Sequence, residues 1–286
     1  MWIADNWKDY EVIDTSCGEK LERWGRYILL RPDPQVIWNT QKERKEWKHL
    51  NGHYHRSNKG GGEWEFFDLP NEWSIRYGEL TFHLKPFSFK HTGLFPEQAV
   101  NWDWFSEKIK HANRPVKVLN LFAYTGGASI AALMEHANVT HVDSSRGMID
   151  WAKENVIANH LDGENIKFYI DDVKKLVKRE LRRGNKYDII IMDPPSFGRG
   201  AKNEVWQVSK DLYNLILDCS NLLSDDALLF IVNTYTEGLS KTVIENILKK
   251  TIKRKGTVVG TELGIEARNG LVLPCGVTVR WECNGR

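Results

Sequence analysis

An α/β chain with a mainly parallel sheet of seven strands, preceded by a small and mostly antiparallel β domain, is what three features of the sequence predict. The first is Val116-Lys117-Val118-Leu119-Asn120-Leu121, an apolar run that leads into Phe122-Ala123-Tyr124-Thr125-Gly126-Gly127. A helical stretch follows at 128–135, and then Val139-Thr140-His141-Val142-Asp143, a strand that ends in an acid. The second is Tyr187-Asp188-Ile189-Ile190-Ile191-Met192, a continuous apolar run of the kind buried on both faces of a parallel sheet, stopped by Asp193-Pro194-Pro195-Ser196-Phe197. The third is the first 87 residues, where seven of the twelve tryptophans fall at or before Trp73.

Residues 8–87 read as the β domain. The stretch 21–31 mixes aromatic and aliphatic residues as strands do, and Glu63-Trp64-Glu65-Phe66-Phe67 partly alternates. Ser74-Ile75-Arg76-Tyr77 and Leu80-Thr81-Phe82-His83-Leu84 flank Gly78-Glu79, a two-residue hairpin signal. Lys59-Gly60-Gly61-Gly62 reads as a flexible loop. The aromatic residues suit either the core of a small β domain or a base-stacking platform. A connecting segment, 88–112, ends in a helix over about 101–111.

The α/β run fills 113–286. Alternation of strand and helix gives strands at 116–121, 139–143, 166–170, 187–192 and 227–235, with helices at 128–135, 144–160, 172–183, 204–223 and 239–253 between or after them. Two last strands, 257–263 and 277–282, have no helix between them and make an edge hairpin through Arg268-Asn269-Gly270. A strand, a glycine turn, a helix and a carboxylate closing the next strand form the nucleoside-binding half of a Rossmann-like sheet. The turn lacks the three-glycine spacing that surrounds a pyrophosphate. A cofactor without phosphates therefore fits better, with S-adenosylmethionine foremost; the alternative is that Gly126 and Gly127 only make room for the crossover. The two prolines put Asp193 just outside the carboxyl edge of the sheet, where open α/β sheets bind ligands.

Composition bounds the rest. The chain has 286 residues, 41% hydrophobic and 27% charged, in the range of a globular protein with one sizeable core and a smaller domain. Its net charge of +2 gives no global signal for nucleic acid, so any such surface is local. Cys17, Cys219, Cys275 and Cys283 have neither metal-ligand nor disulfide-framework spacing. No signal peptide and no membrane-spanning stretch is evident, and a cytoplasmic enzyme with free thiols is the simplest expectation.

Taken together, Asn120-Leu121-Phe122-Ala123-Tyr124-Thr125-Gly126, Asp143, Asp171-Asp172-Val173 and Asp193-Pro194-Pro195-Ser196-Phe197 resemble a class I S-adenosylmethionine-dependent methyltransferase. More narrowly, they resemble the bacterial family related to the 23S ribosomal RNA large-subunit methyltransferases, and Phe89-Lys90-His91-Thr92-Gly93-Leu94-Phe95-Pro96-Glu97-Gln98 is similar to that family's lead-in over the cofactor. The resemblance, over roughly 85–283, implies the seven-stranded methyltransferase sheet and these roles. Phe122, Ala123, Tyr124 and Gly126 line the methionine and ribose side. Asp143 holds the ribose hydroxyls and Ser144 sits near the adenine edge. Asp172 accepts from the adenine amine with Val173 nearby, and Phe95 and Gln98 close the pocket. Asp193, which also counts among the cofactor-binding residues, lies with Pro194 and Phe197 where the methyl group meets the substrate. Each acid has an alternative as a solvated strand end or helix cap, Asp172 above all. No metal is implied.

One departure bears on the chemistry. Methylation at carbon 5 of cytosine needs a Cys nucleophile. The family's position after the fifth strand reads Phe230-Ile231-Val232-Asn233-Thr234-Tyr235-Thr236, and Ser196 stands at the other position. Direct transfer to a nitrogen or oxygen lone pair is what the resemblance leaves. The expected substrate is a base of ribosomal RNA, met through Lys174, Lys175, Lys178, Arg179, Arg182 and Arg183 on one helix and Lys249, Lys250, Lys253, Arg254 and Lys255 on another, unless these are only solvated helix faces. A protein or small-molecule methyltransferase is the alternative, and a non-catalytic binding module a third. The sequence does not specify an oligomeric state.

Overall fold

The computed structural model describes residues 1–57, 61–87, 90–200 and 204–284. Lys59 and Gly60 of the expected loop, and Phe89 of the lead-in segment, lie outside the described residues. The chain divides into two compact units, one of residues 1–100 and 263–275, the other of residues 101–262 and 276–286. The first unit thus takes in 88–100 and the 263–275 segment in addition to the expected 1–87.

In the first unit, β1 (Trp2–Ile3) is followed by β2 (Tyr10–Ser16), β3 (Glu19–Trp24), β4 (Tyr27–Pro32), β5 (Gly52–Arg56) and β6 (Gly62–Phe66). Strands β2 to β6 form one sheet in sequence order, antiparallel except for the β4–β5 pair. The strand-like stretch 21–31 is two strands, because Gly25 turns the chain at φ +65°. The hairpin β7 (Trp73–Tyr77) and β8 (Leu80–Leu84) turns at Gly78, φ +55°, where the sequence places it. Trp24 is fully buried with Leu21, Leu29, Ile75 and Phe82, so this tryptophan is core and not platform. Glu22 and Arg31 are buried beside it, paired at 2.6 and 2.8 Å, with the Tyr10 hydroxyl donating to the same carboxylate at 2.8 Å. Pairing of this kind offsets a desolvation cost of several kcal/mol per charge, about.

The second unit begins in α1 (Ala99–His111) and continues as β9 (Lys117–Leu121), α2 (Gly127–Met134), β10 (Asn138–Asp143), α3 (Arg146–Ala158), β11 (Ile166–Ile170), α4 (Val173–Arg183) and β12 (Ile189–Met192). Then come β13 (Phe197–Arg199), β14 (Val205–Gln207), α5 (Val208–Ser220), β15 (Leu229–Thr234), α6 (Lys241–Thr251), β16 (Gly256–Glu266) and β17 (Val272–Cys283). The sheet order is β16-β17-β15-β12-β9-β10-β11, the seven strands expected. β1 adds in parallel beside Leu263 and Gly264 of β16, within the first unit. Strands β15, β12, β9, β10 and β11 are parallel, and β17 runs antiparallel to β15. All four residues of β12 and all six of β15 are buried, as strands covered on both faces must be.

One local expectation changes. Residues 204–223 are not helical throughout: Val205–Gln207 is a strand, paired antiparallel with Phe197–Arg199, and the helix starts at Val208. A tertiary contact overrides the helical reading, since the Trp206 indole donates to the Pro195 carbonyl at 2.6 Å.

Candidate functional site

The strand order reverses between β9 and β12, which places a crevice at their carboxyl ends. The turn after β9 has an unusual backbone. Phe122 (φ +55°), Tyr124 (+51°) and Gly126 (+92°) are all left-handed, with Ala123 and Thr125 between them. For the two residues with side chains, this conformation costs of the order of 1–3 kcal/mol each, strain that the surrounding contacts must hold. The Ala123 N–H donates to Val142 O at 3.0 Å, and the Tyr124 N–H to Asp143 Oδ2 at 3.0 Å. From α3, buried Asn155 donates its amide to Thr125 O at 3.0 Å. Beneath the turn, a buried chain runs from Asn120 Nδ2 to Ser129 Oγ (3.0 Å) and on to His141 Nδ1 (2.9 Å). Burial holds the His141 imidazole down at about 3, so it is neutral at physiological pH. A Cβ on Gly127 would come within 2.8 Å of the Trp102 ring, so α2 can approach α1 only with glycine there.

Asp143 closes β10 as expected. Its Oδ2 accepts from Tyr124 N and its Oδ1 from Ser145 N at 2.9 Å. Burial pushes its pKa up, opposed by the N–H groups of Ser145, Tyr124 and Ser144. A carboxylate has about four lone-pair sites. These backbone N–H groups fix the plane of the carboxylate, which can still accept from a ligand hydroxyl. Ser144 is exposed beside it, and Ser145 caps α3.

Asp172 stands at the N-cap of α4, where its Oδ1 accepts from Lys175 N at 3.0 Å. Its Oδ2 forms no hydrogen bond among the described residues. Asp171 before it accepts from Asp172 N and pairs with Arg179 at 2.7 Å. Val173 is buried on the core side of α4.

At the end of β12, Asp193 is half-buried and Pro194 buried. Phe197 is 51% exposed, with the Arg199 guanidinium 5.8 Å from its ring centre. Trp206 joins the two halves of the crevice. Its ring lies 5.0 Å from that of Phe122, while its indole N–H holds the Pro195 carbonyl. The Ser196 and Thr236 hydroxyls are 2.8 Å apart. These residues stand at the two stretches where methylation at carbon 5 of cytosine would need a Cys. Cys219 is buried in α5, and Cys283 bonds through its N–H to Leu228 at the opposite end of β15. Cys17 and Cys275 belong to the first unit.

The structure thus brings Phe122, Ala123, Tyr124, Gly126, Asp143, Ser144, Asp172, Val173, Asp193, Pro194 and Phe197 to strand ends and the loops after them in the second unit. Phe95 and Gln98 belong to the first unit, Phe95 capping and Gln98 ending a 3-10 turn, Pro96–Gln98, with Gln98 buried and Phe95 beside the His91 ring. Trp206 and Asn155 were not anticipated. Asn155 carried a signal, a polar residue in the apolar stripe of Met148, Ile149 and Ala152; Trp206 carried none.

The sequence matches the family model for S-adenosylmethionine-dependent methyltransferases over residues 29–249. The ribosomal RNA large subunit methyltransferase K/L of Syntrophotalea carbinolica is 31% identical over 206 residues, 69% of this chain and 28% of that protein. The large subunit methyltransferase I of Shigella dysenteriae is 39% identical over 126 residues, 38% of this chain and 31% of that protein. The chain thus spans between a quarter and a third of the length of these curated relatives. The crystal structure of a methyltransferase from Agrobacterium tumefaciens matches with a TM-score of 0.92 and 36% identity, covering 96% of this chain and 90% of that one. SMU.776, solved with SAH, matches with a TM-score of 0.75 at 23% identity, a likeness of fold.

Proposed function

Because the chain belongs to the S-adenosylmethionine-dependent methyltransferase family, we propose that it transfers a methyl group directly to a base nitrogen or oxygen of ribosomal RNA, in the cytoplasm. The observation that carries the cofactor half is Asp143, a carboxylate at the end of β10 whose plane is fixed by the backbone N–H groups of the turn and which can accept from a ribose hydroxyl. When bound, S-adenosylmethionine supplies an electrophilic methyl group on a sulfonium. Phe122, Ala123, Tyr124 and Gly126 line the ribose and methionine side, with Ser144 and Val173 toward the adenine and Asp172 Oδ2 accepting from its amine. Asp193, fixed by Pro194, orients the target base and accepts its proton. Phe197 is exposed enough to stack on that base. Ser196 and Thr236 provide hydroxyls and no thiol, so the transfer proceeds without a covalent Cys adduct. Support for RNA comes from relatives named as ribosomal RNA methyltransferases.

A second reading, transfer to a protein or small molecule, draws on α4. Four of its cations are already paired: Lys174 with Asp211, Lys175 with Glu204, Arg179 with Asp171 and Arg183 with Glu180. Among the described residues, exposed Lys178 and Arg182 form no ion pair, and they are the cations of α4 available for phosphates. Salt dependence separates the readings. RNA affinity should fall with salt at a log–log slope of roughly 0.7–0.9 per neutralised phosphate. Lys178→Glu with Arg182→Glu should reduce that slope by about one to two units and leave cofactor affinity unchanged. An RNA affinity indifferent to salt would favour the second reading.

A further inference from the structure

The first unit carries a cluster that methyl transfer does not use. His53 and His55 alternate with Tyr54 on β5, so both imidazoles leave the same face of the sheet. On the edge strand β6, Glu65 pairs in register with His53 and Glu63 with His55, which puts these carboxylates on that face too. Tyr54 and Trp64 point the other way, their rings 5.5 Å apart. The imidazole rings of His53 and His55 are 3.8 Å apart, and His55 Nε2 lies 2.8 Å from Glu65 Oε2. One ligand atom each from His53, His55 and Glu65 falls within 4.8 Å of the others. Glu19 Oε1 approaches His53 Nε2 at 3.2 Å, while its other oxygen receives Lys42 at 3.3 Å.

We propose that His53, His55 and Glu65 form a surface site for a divalent transition metal of the zinc class. Two imidazoles and a carboxylate are the donor set that zinc, cobalt and nickel prefer, whereas magnesium and calcium select all-oxygen sets. The required contraction is small, since zinc bonds of about 2.0–2.2 Å place neighbouring ligand atoms a little over 3 Å apart. A carboxylate that orients a ligating imidazole is already present in Glu19. A water completes four-coordination. Occupancy would clip edge strand β6 to β5, so the site is a structural brace and needs no part in the methyl transfer.

The test uses the full chain carrying Cys17→Ser, so that the exposed thiol contributes no binding. Equilibrium dialysis against Zn2+ should show one equivalent bound, and Co2+ should give the visible absorption bands of a low-symmetry four-coordinate site. The melting temperature should rise with zinc concentration. His53→Ala with His55→Ala should weaken zinc at least tenfold and remove the cobalt bands, while S-adenosylmethionine binding stays unchanged. Glu65→Gln, which keeps the size of the side chain, should weaken zinc in the same direction if the double variant fails to fold. Absence of zinc binding by the parent chain, or equal stoichiometry and affinity in these folded variants, would overturn the site.

Discussion

Asp193→Ala is expected to leave the protein folded, while methyl transfer at saturating cofactor falls by roughly two to three orders of magnitude. That range is typical for loss of a positioned proton acceptor, together with the alignment it provides. The expectation rests on place. Asp193 follows a strand buried at all four residues, and Pro194 and Pro195 fix the direction in which the chain leaves the sheet. The Trp206 indole then pins the Pro195 carbonyl, so the loop bearing Asp193 is tied to the ring of Phe122 across the crevice. Asp193→Asn separates two contributions. It retains a hydrogen-bond acceptor for aligning the base but takes up no proton at neutral pH, so a partial recovery over Ala measures alignment. Single-turnover transfer with saturating cofactor is the appropriate readout. A near-wild-type rate in Asp193→Ala would remove this residue from the reacting end of the site.

The second large effect is on cofactor binding. Asp143→Ala should weaken S-adenosylmethionine by roughly 30- to 1000-fold, the equivalent of about 2–4 kcal/mol for two hydrogen bonds to a charged acceptor. Part of this loss has an indirect origin. The same carboxylate receives the N–H groups of Tyr124 and Ser145, and Tyr124 is held at a left-handed φ by its neighbours. Removing the acceptor leaves the strained turn freer to relax, and a relaxed turn no longer presents its backbone to the ligand. Calorimetry at neutral pH, with far-ultraviolet circular dichroism as the check on folding, reads the effect. Equal affinity in the folded variant would withdraw Asp143 from the ribose.

Much of the second unit was legible because its signals are local. Buried parallel strands must be apolar on both faces, so Val116–Leu121 and Tyr187–Met192 announce themselves in the sequence, and the double proline marks the end of β12. The Gly78-Glu79 hairpin was legible for the same reason. What escaped depends on partners distant in sequence. Three-residue strands such as Phe197–Arg199 and Val205–Gln207 have no period to detect, and theirs is set by the Trp206–Pro195 bond. The 263–275 segment sits in the first unit through contacts such as Asn269 to Asp14 at 2.8 Å and Arg268 to Glu46 at 3.0 Å, both across more than 200 residues. The cations of α4 looked like a phosphate-binding stripe, yet Asp211 and Glu204, some 30 residues further on, neutralise two of them. For the candidate site, residue types and strand ends were readable. The left-handed backbone at Phe122 and Tyr124 was not, because it arises from the hydrogen bonds that β10 and α3 bring to the turn.

The most direct measurement is mass mapping of the methyl group transferred from isotope-labelled S-adenosylmethionine to 23S ribosomal RNA prepared from cells that lack this protein. The predicted result is a labelled methyl group on a nitrogen or oxygen of a base, formed by wild type and lost with Asp193→Ala. Label confined to protein or small molecules, or found as 5-methylcytosine, would contradict direct transfer to an RNA base.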